Sequence, residues 1–302
     1  MPVWFPRGAL AGAFMTVVSG CRGAPRVQYA SVDAALARVQ VDTECSRSVE
    51  GDADLVISGP LYSMRGKLLY LASAPNKLRF DIYSSFGVTL STLTSDGQRF
   101  SLYSLDENSF WYGPSKTCNL RKFTRIPLPP FALVELLRGR PPILLHQDSD
   151  AKIRFSRPVF SRGYYVVDIG SKNQASQRLT FEVPEEDWEK DIADQRLRLR
   201  SVRVEQKGSL LYEVELSEYR PARRTIQKLS KEELEMGIES LPPSGPSCSA
   251  ELPGKLKFSI PGTGHSLSIE NHETSHNPSI SALSFTQALP GGVRSEYSDC
   301  KD

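Results

Sequence analysis

No stretch of this sequence stays apolar for the roughly 20 residues that a membrane-spanning helix needs; the N-terminal run over residues 8–18 stops at eleven. An excess of one charge is missing too. The 37 basic and 35 acidic side chains leave a formal net charge of +2, which gives no footing for nucleic-acid binding. There is no GxSxG nucleophile motif, no glycine loop placed after a strand to cradle phosphate, and no CxxC pair. Histidine is scarce, and His265, His272 and His276 match no common metal-ligand spacing and lie in a polar, turn-rich stretch, as solvated loop residues do. Glu185, Glu186, Asp187, Asp191 and Asp194 crowd around Trp188 in the manner of a solvated surface. The row Arg196, Arg198, Arg200 suits the charged outer face of an amphipathic strand. No catalytic residue, metal or cofactor is expected on these grounds, and no nucleic-acid partner.

What is present starts at the N-terminus. Arg7 precedes the run at 8–18, which has the length of a secretory signal core. Val18-Ser19-Gly20-Cys21 then resembles the lipobox of bacterial lipoproteins. The expectation is cleavage before Cys21 and a diacylglyceryl group and N-linked acyl chain (palmitate or similar) on that cysteine. Two or more chains, at about 0.8 kcal/mol per buried methylene, hold such an anchor stably. The predicted organisation is a signal peptide over 1–20, a lipidated tether over 21–30, the first part of a mainly β domain over 31–221, a helix and linker over 222–250, and a final hairpin and C-terminal tail over 251–302 that complete the domain. Cys45, Cys118, Cys248 and Cys300 remain, an even number that suggests two disulfides in an oxidising compartment. Three pairings are open; Cys45–Cys118 with Cys248–Cys300 is preferred, since each pair closes one half of the chain.

Ser31 can cap a helix from Val32 to about Thr43. From Asp54 the apolar period becomes two: Leu55 and Ile57, Leu69 and Leu71, Phe80 and Ile82, Val88 and Leu90, Phe100 and Leu102, with turn chemistry between the runs. Prolines at 127, 129 and 130 and a glycine at 139 punctuate an apolar helix over 131–138, which should be covered. Strands resume at 152–156, 164–169, 178–183, 196–205 and 211–219; in 196–205 the parity flips, which predicts a bulge near Arg200-Ser201. Ser230 and Glu233 make a capping box, and Leu256, Phe258, Ile260, Leu267 and Ile269 a last hairpin around Gly262-Thr263-Gly264. The fold class is mainly β with a few helices.

Ser84-Ser85-Phe86-Gly87-Val88-Thr89-Leu90 and Arg125-Ile126-Pro127-Leu128-Pro129 running into the 131–139 helix resemble two local motifs of the LolA/LolB group of periplasmic lipoprotein carriers and receptors. The resemblance spans roughly 54–220, with a looser echo at 252–270, and lies nearest the outer-membrane receptor LolB. It implies an incomplete antiparallel β-barrel with helices lidding an apolar cavity that accepts acyl chains. It also implies lipoprotein or lipid cargo, a LolA-like donor, a monomer, and a lipid-anchored place on the periplasmic face of the outer membrane. Arg22 after the lipidated cysteine agrees with that placement. On this footing Leu69, Leu71, Phe80, Ile82, Leu90, Phe100 and Leu102 are the candidate cavity wall. Phe86 is the candidate contact for membrane or cargo, at the position of the family's exposed leucine. The competing expectation is an interaction lipoprotein whose barrel is filled by its own side chains, Phe80, Phe100, Phe155 and Phe181 among them.

Cys21→Ser is expected to abolish labelling by a palmitate analogue and to release the chain from the membrane fraction; a normally acylated, membrane-bound variant would contradict lipidation at Cys21.

Overall fold

The computed structural model describes Met1 and residues 24–124, 127–158, 162–224, 229–237 and 239–300. Cys21 and the 8–18 run lie outside them. Ser31 accepts a hydrogen bond from the Ala34 amide and opens helix α1 (Val32–Glu44), with Asp33 in its positive first turn. A meander follows: β1 (Ser48–Gly59), β2 (Tyr62–Ser73), β3 (Lys77–Tyr83), β4 (Thr89–Ser95), β5 (Arg99–Ser104) and β6 (Ser109–Pro114). Helices α2 (Thr117–Thr124) and α3 (Pro130–Leu137) interrupt it. A second meander runs through β7 (Ala151–Ser156), β8 (Tyr164–Gly170), β9 (Ala175–Glu182), β10 (Arg198–Gln206) and β11 (Ser209–Ser217). The rest comprises β12 (Arg220–Pro221), α4 (Lys231–Glu235), β13 (Glu251–Leu252), the hairpin β14 (Lys255–Ile260) and β15 (His265–His276), and β16 (Arg294–Tyr297). The Ser230–Glu233 capping box is formed, and Arg200 is the extra residue where β10 slips against β9.

Fourteen of these strands make one sheet, in the order β16-β6-β5-β4-β3-β2-β1-β15-β14-β11-β10-β9-β8-β7; β12 and β13 pair separately. The late hairpin thus sits between the two meanders and joins them. The sheet curls without closing, with β7 and β16 as its edges, which makes it an incomplete antiparallel barrel. Among its pairings β16 alongside β6 is parallel.

Register decides which side chains share the concave face. Ala53, Leu55 and Ile57 of β1 stand opposite Leu68, Gly66 and Met64 of β2, and Leu55 and Ile57 stand opposite Ile269 and Leu267 of β15. Tyr70 faces Gly51, and its ring lies where a Cβ on Gly51 would be, within 2.3 Å, so only glycine fits there. Leu69 and Leu71 were expected on this inner face and are not. Leu68, Tyr70 and Ala72 are buried, while Leu69 is 43% exposed on the convex side. The segment Leu68-Leu69-Tyr70-Leu71 is apolar at both parities, so alternation along β2 alone cannot choose; pairing with β1 does.

The disulfides are Cys45–Cys248 and Cys118–Cys300, not the pairs within each half that the sequence favoured. The reason is the return of the C-terminal third onto the N-terminal third. Pairing of β15 with β1 carries the segment around Cys248 to the end of α1, and β16 lying along β6 carries Cys300 to α2.

Helix α3 lies inside the curl, with Ala132, Leu133, Val134, Leu136 and Leu137 buried. Gly139 ends it at φ 77°, where glycine carries no Cβ penalty. Arg138, only 2% exposed, fixes it in place. Its guanidinium donates to the Ser46 and Thr43 carbonyls at the C-terminal end of α1 and pairs with Glu135 at 2.7 Å. Burial pulls the Arg138 pKa down, and the Glu135 charge partly opposes this. Arg138→Met leaves those carbonyls unpaired and is expected to lower the unfolding free energy by about 3 kcal/mol. Urea unfolding checks this, and a loss under about 1 kcal/mol would show that the guanidinium is not what docks α3 to α1.

Candidate functional site

The concave face is filled unevenly. On the β7–β10 side it is occupied: Tyr165, Phe181, Leu179 and Val167 are fully buried, Tyr29 meets Tyr165 edge-on at 5.4 Å, and Phe155 packs on Tyr165 at 5.0 Å. Helix α1 is tied over this side by Arg38, which donates to the Gln195 carbonyl at 2.8 Å, and by Asp42, which accepts from the Leu197 amide. On the β1–β6 side a cavity of about 270 Å³ remains open. Its walls are Leu55 and Ile57 (β1), Met64 and Leu68 (β2), Phe80 and Ile82 (β3), Leu90 and Leu93 (β4), Leu102 (β5), Trp111 (β6), Phe258 (β14), and Leu267 and Ile269 (β15), with Leu133 and Leu137 of α3 as its floor.

Of the candidate wall residues, Phe80, Ile82, Leu90 and Leu102 line this cavity. Leu90 does so through a device that alternation hides. Ile82 pairs with Ser91 but Tyr83 pairs with Thr89, so Leu90 is the extra residue of a bulge, and a bulge re-aims a side chain. Phe100 is buried in the core beside Gly113 rather than on the wall. Leu69 and Leu71 flank a polar depression on the convex face with Arg79, Asp81 and Glu273. Sequence reasoning missed Met64, Trp111 and the helix floor of Leu133 and Leu137; the apolar helix itself was visible, but which face it turned to the sheet was not.

The cavity opens toward one rim. In the first meander the β1–β2, β3–β4 and β5–β6 turns all fall at the same end of the sheet, together with the β14–β15 turn. Ile57, Met64, Ile82, Ser104, Asp106, Glu107 and Leu267 belong to this end and line the cavity. The rim carries unpaired apolar side chains: Leu61 is 97% exposed, Phe86 93%, and Val88 and Leu105 are exposed beside them. The Phe86 loop is shaped by its own small residues. Ser84 Oγ accepts from the Phe86 and Val88 amides, the Gly87 amide donates to the Ser84 carbonyl, and Gly87 takes φ 79°. The turn is therefore complete without any contact from the aromatic ring. Asp106 and Glu107 are the ionisable groups of the cavity lining, and they stand at its mouth.

The other charged motifs are absorbed by structure. Asp187 is fully buried, contrary to a solvated acidic surface. Burial pushes its carboxyl up, but hydrogen bonds from Arg196 and Lys190 more than offset this and hold it well below the usual carboxylate range. Arg196 also pairs with Glu251 and Glu186, Arg198 with Glu251, and Arg200 with Glu182. The arginine row therefore spends its charge inside the molecule. His272 pairs with Asp54 at 3.0 Å near solvent. His276, expected in a solvated loop, is instead 2% exposed at the end of β15.

No family model matches this chain, and no curated protein matches it. Solved structures similar to it in outline include a putative outer membrane lipoprotein-sorting protein domain from Vibrio parahaemolyticus, at 9% identity and TM-score 0.48 over 83% of this chain and 95% of that one. A DUF1329 family protein from Desulfovibrio piger is similar at 13% identity and TM-score 0.48, over 84% and 95%. A LolA superfamily protein from Nitrosomonas europaea is similar at 8% identity and TM-score 0.44, over 83% and 96%. At such identities and scores the likeness is one of outline and assigns neither a substrate nor a residue role.

Because Phe86 buries almost nothing, Phe86→Glu is expected to shift the thermal midpoint by less than about 2 °C. A drop of several degrees in calorimetry would mean that the ring is a packing element in solution.

Proposed function

We propose that this chain binds one acyl chain of a lipoprotein or other lipid in the cavity between the first meander and α3, and passes it to a membrane at the rim that carries Phe86 and Leu61. The observation that carries this is the pairing of a mainly apolar cavity with exposed apolar side chains, Leu61 and Phe86 among them, on the rim at its mouth. At about 270 Å³ the cavity stands near the lower end of ligand-sized pockets, roughly 300–1,000 Å³. That suits a single chain rather than a bulky lipid.

No bond chemistry is required. Each methylene that leaves water for the cavity contributes about 0.8 kcal/mol, and the same term, with the sign reversed, lets the chain leave again for a bilayer. Asp106 and Glu107 at the mouth repel a free fatty-acid carboxylate and tolerate an ester-linked or amide-linked chain, which favours acylated cargo over fatty acid. Phe86, entering an apolar phase, adds about 1.5–3 kcal/mol, a modest term that acts beside the lipid on Cys21. In this scheme the protein stands on the periplasmic face of the outer membrane and receives cargo from a soluble LolA-like carrier. The filled-barrel alternative describes the β7–β10 side, and the open side sets the function.

The test is displacement of a neutral naphthylamine dye by a neutral monoacyl glyceride. Leu90→Trp, which places an indole in the cavity, is expected to weaken dye binding about tenfold, a loss of about 1.4 kcal/mol. Leu69→Trp on the convex face leaves it unchanged. Equal effects from the two variants, or no displaceable dye at all, would contradict the cavity as the binding site.

A further inference from the structure

Cys45, Cys248 and His276 bring two sulfurs and an imidazole nitrogen to within 4.8 Å of one another. The two sulfurs are bonded to each other, and the histidine makes no use of its position. It is 2% exposed, and neither Nδ1 nor Nε2 has a hydrogen-bond partner among the described residues. A buried imidazole with both nitrogens idle is unfavourable, because each gave up water on folding. The arrangement becomes intelligible if the ring has another partner.

We propose that in the dithiol state of the chain Cys45, Cys248 and His276 bind one zinc ion, and that zinc and the Cys45–Cys248 disulfide exclude each other. Two thiolates and one imidazole are a recognised zinc donor set, with water as the fourth ligand. Sulfur at about 2.3 Å and nitrogen at about 2.0 Å from the ion require donors on the order of 3.5–4 Å apart, which small side-chain rotations reach from the present spacing.

The site does not depend on the disulfide to stay assembled. Asn277, fully buried next to His276, donates from Nδ2 to the Cys45 carbonyl at 2.7 Å and to the Pro246 carbonyl at 3.0 Å. Its Oδ1 accepts from the Arg47 amide at 2.9 Å. Ser244 donates to the Pro278 carbonyl, and the His276 amide donates to the Arg223 carbonyl. All three ligand-bearing segments are thus held by hydrogen bonds that survive reduction. Both cysteines are partly exposed, so an ion can reach the sulfurs from solvent.

The exchange balances as follows. A dithiol reductant gives two electrons and two protons to the disulfide and becomes a disulfide itself. The two resulting thiols release their protons to water as zinc binds, and His276 ligates as the neutral ring. In reverse, a disulfide oxidant takes two electrons from the thiolates and two protons from water and becomes a dithiol, while the Cys45–Cys248 bond re-forms and the ion leaves.

The full chain with Cys21→Ser, reduced with a phosphine and freed of it, is titrated with cobalt(II) and then zinc(II). One cobalt per chain with a sulfur-to-cobalt charge-transfer band, displaced by one zinc, is expected; the oxidised chain gives no band. Cys45→Ser/Cys248→Ser abolishes the band although Cys118 and Cys300 are reduced, and His276→Ala changes the spectrum and weakens binding about tenfold or more. Zinc also shields Cys45 and Cys248, and not Cys118 and Cys300, from maleimide as read by peptide mass. If the reduced chain loses its fold, zinc restores its near-ultraviolet circular dichroism. Absence of the band, its persistence in the double variant, an unchanged His276→Ala titration, unselective alkylation, or failure of zinc to restore a lost fold would each overturn the site.

Discussion

Strand β1 pairs on one side with β2, its neighbour in the chain, and on the other with β15, far along the sequence. Every larger feature depends on that second pairing. Without it there are two separate meanders, each with a naked edge; with it there is a single sheet whose concave face can hold a helix and still leave space. Closing so long a loop is entropically costly, though the cost grows only slowly with length. Cys45–Cys248 stands at the end of this same pairing and removes much of that cost from the unfolded chain. The disulfide, the buried Asn277 and the β1–β15 ladder are one joint.

The joint also explains why the cavity lies where it does. Leu55 and Ile57 from β1, and Leu267 and Ile269 from β15, put the wall on both sides of the seam, and α3 with Leu133 and Leu137 stops short of filling the β3–β5 side. On the β7–β10 side large aromatics and α1 occupy the concave face. A protein built only for rigidity would have packed both sides to similar density. The residual space sits beneath the one rim whose turns present Leu61 and Phe86 to solvent.

Much of the frame was legible from local chemistry. Ser31 and Ser230 announced their helices through capping. The prolines ahead of α3 and Gly139 behind it bounded a helix whose apolar residues required cover, and the parity flip at Arg200 marked a bulge. Long-range facts were not legible. Nothing local told β15 to lie beside β1, so the cysteine pairing came out wrong. Leu69 and Leu71 misled because β2 is apolar at both parities. His276 looked like a loop residue because segments distant in sequence stand around it: Val49 of β1, Arg223, and the disulfide of Cys45 and Cys248. Cavity residues from β3 to β5 emerged where strict alternation held, and the Leu90 bulge is the exception that still reached the wall.

On the proposed function an acyl chain enters between β1–β6 and α3. Methyl-labelled isoleucine and leucine in the oxidised chain, followed by NMR during titration with a neutral monoacyl glyceride, tests it most directly. Saturable shifts are expected at Ile57, Ile82, Leu90, Leu133 and Leu267, with Leu69 and Leu71 silent. Shifts on the convex leucines, or none at the wall residues at saturating lipid, would contradict it.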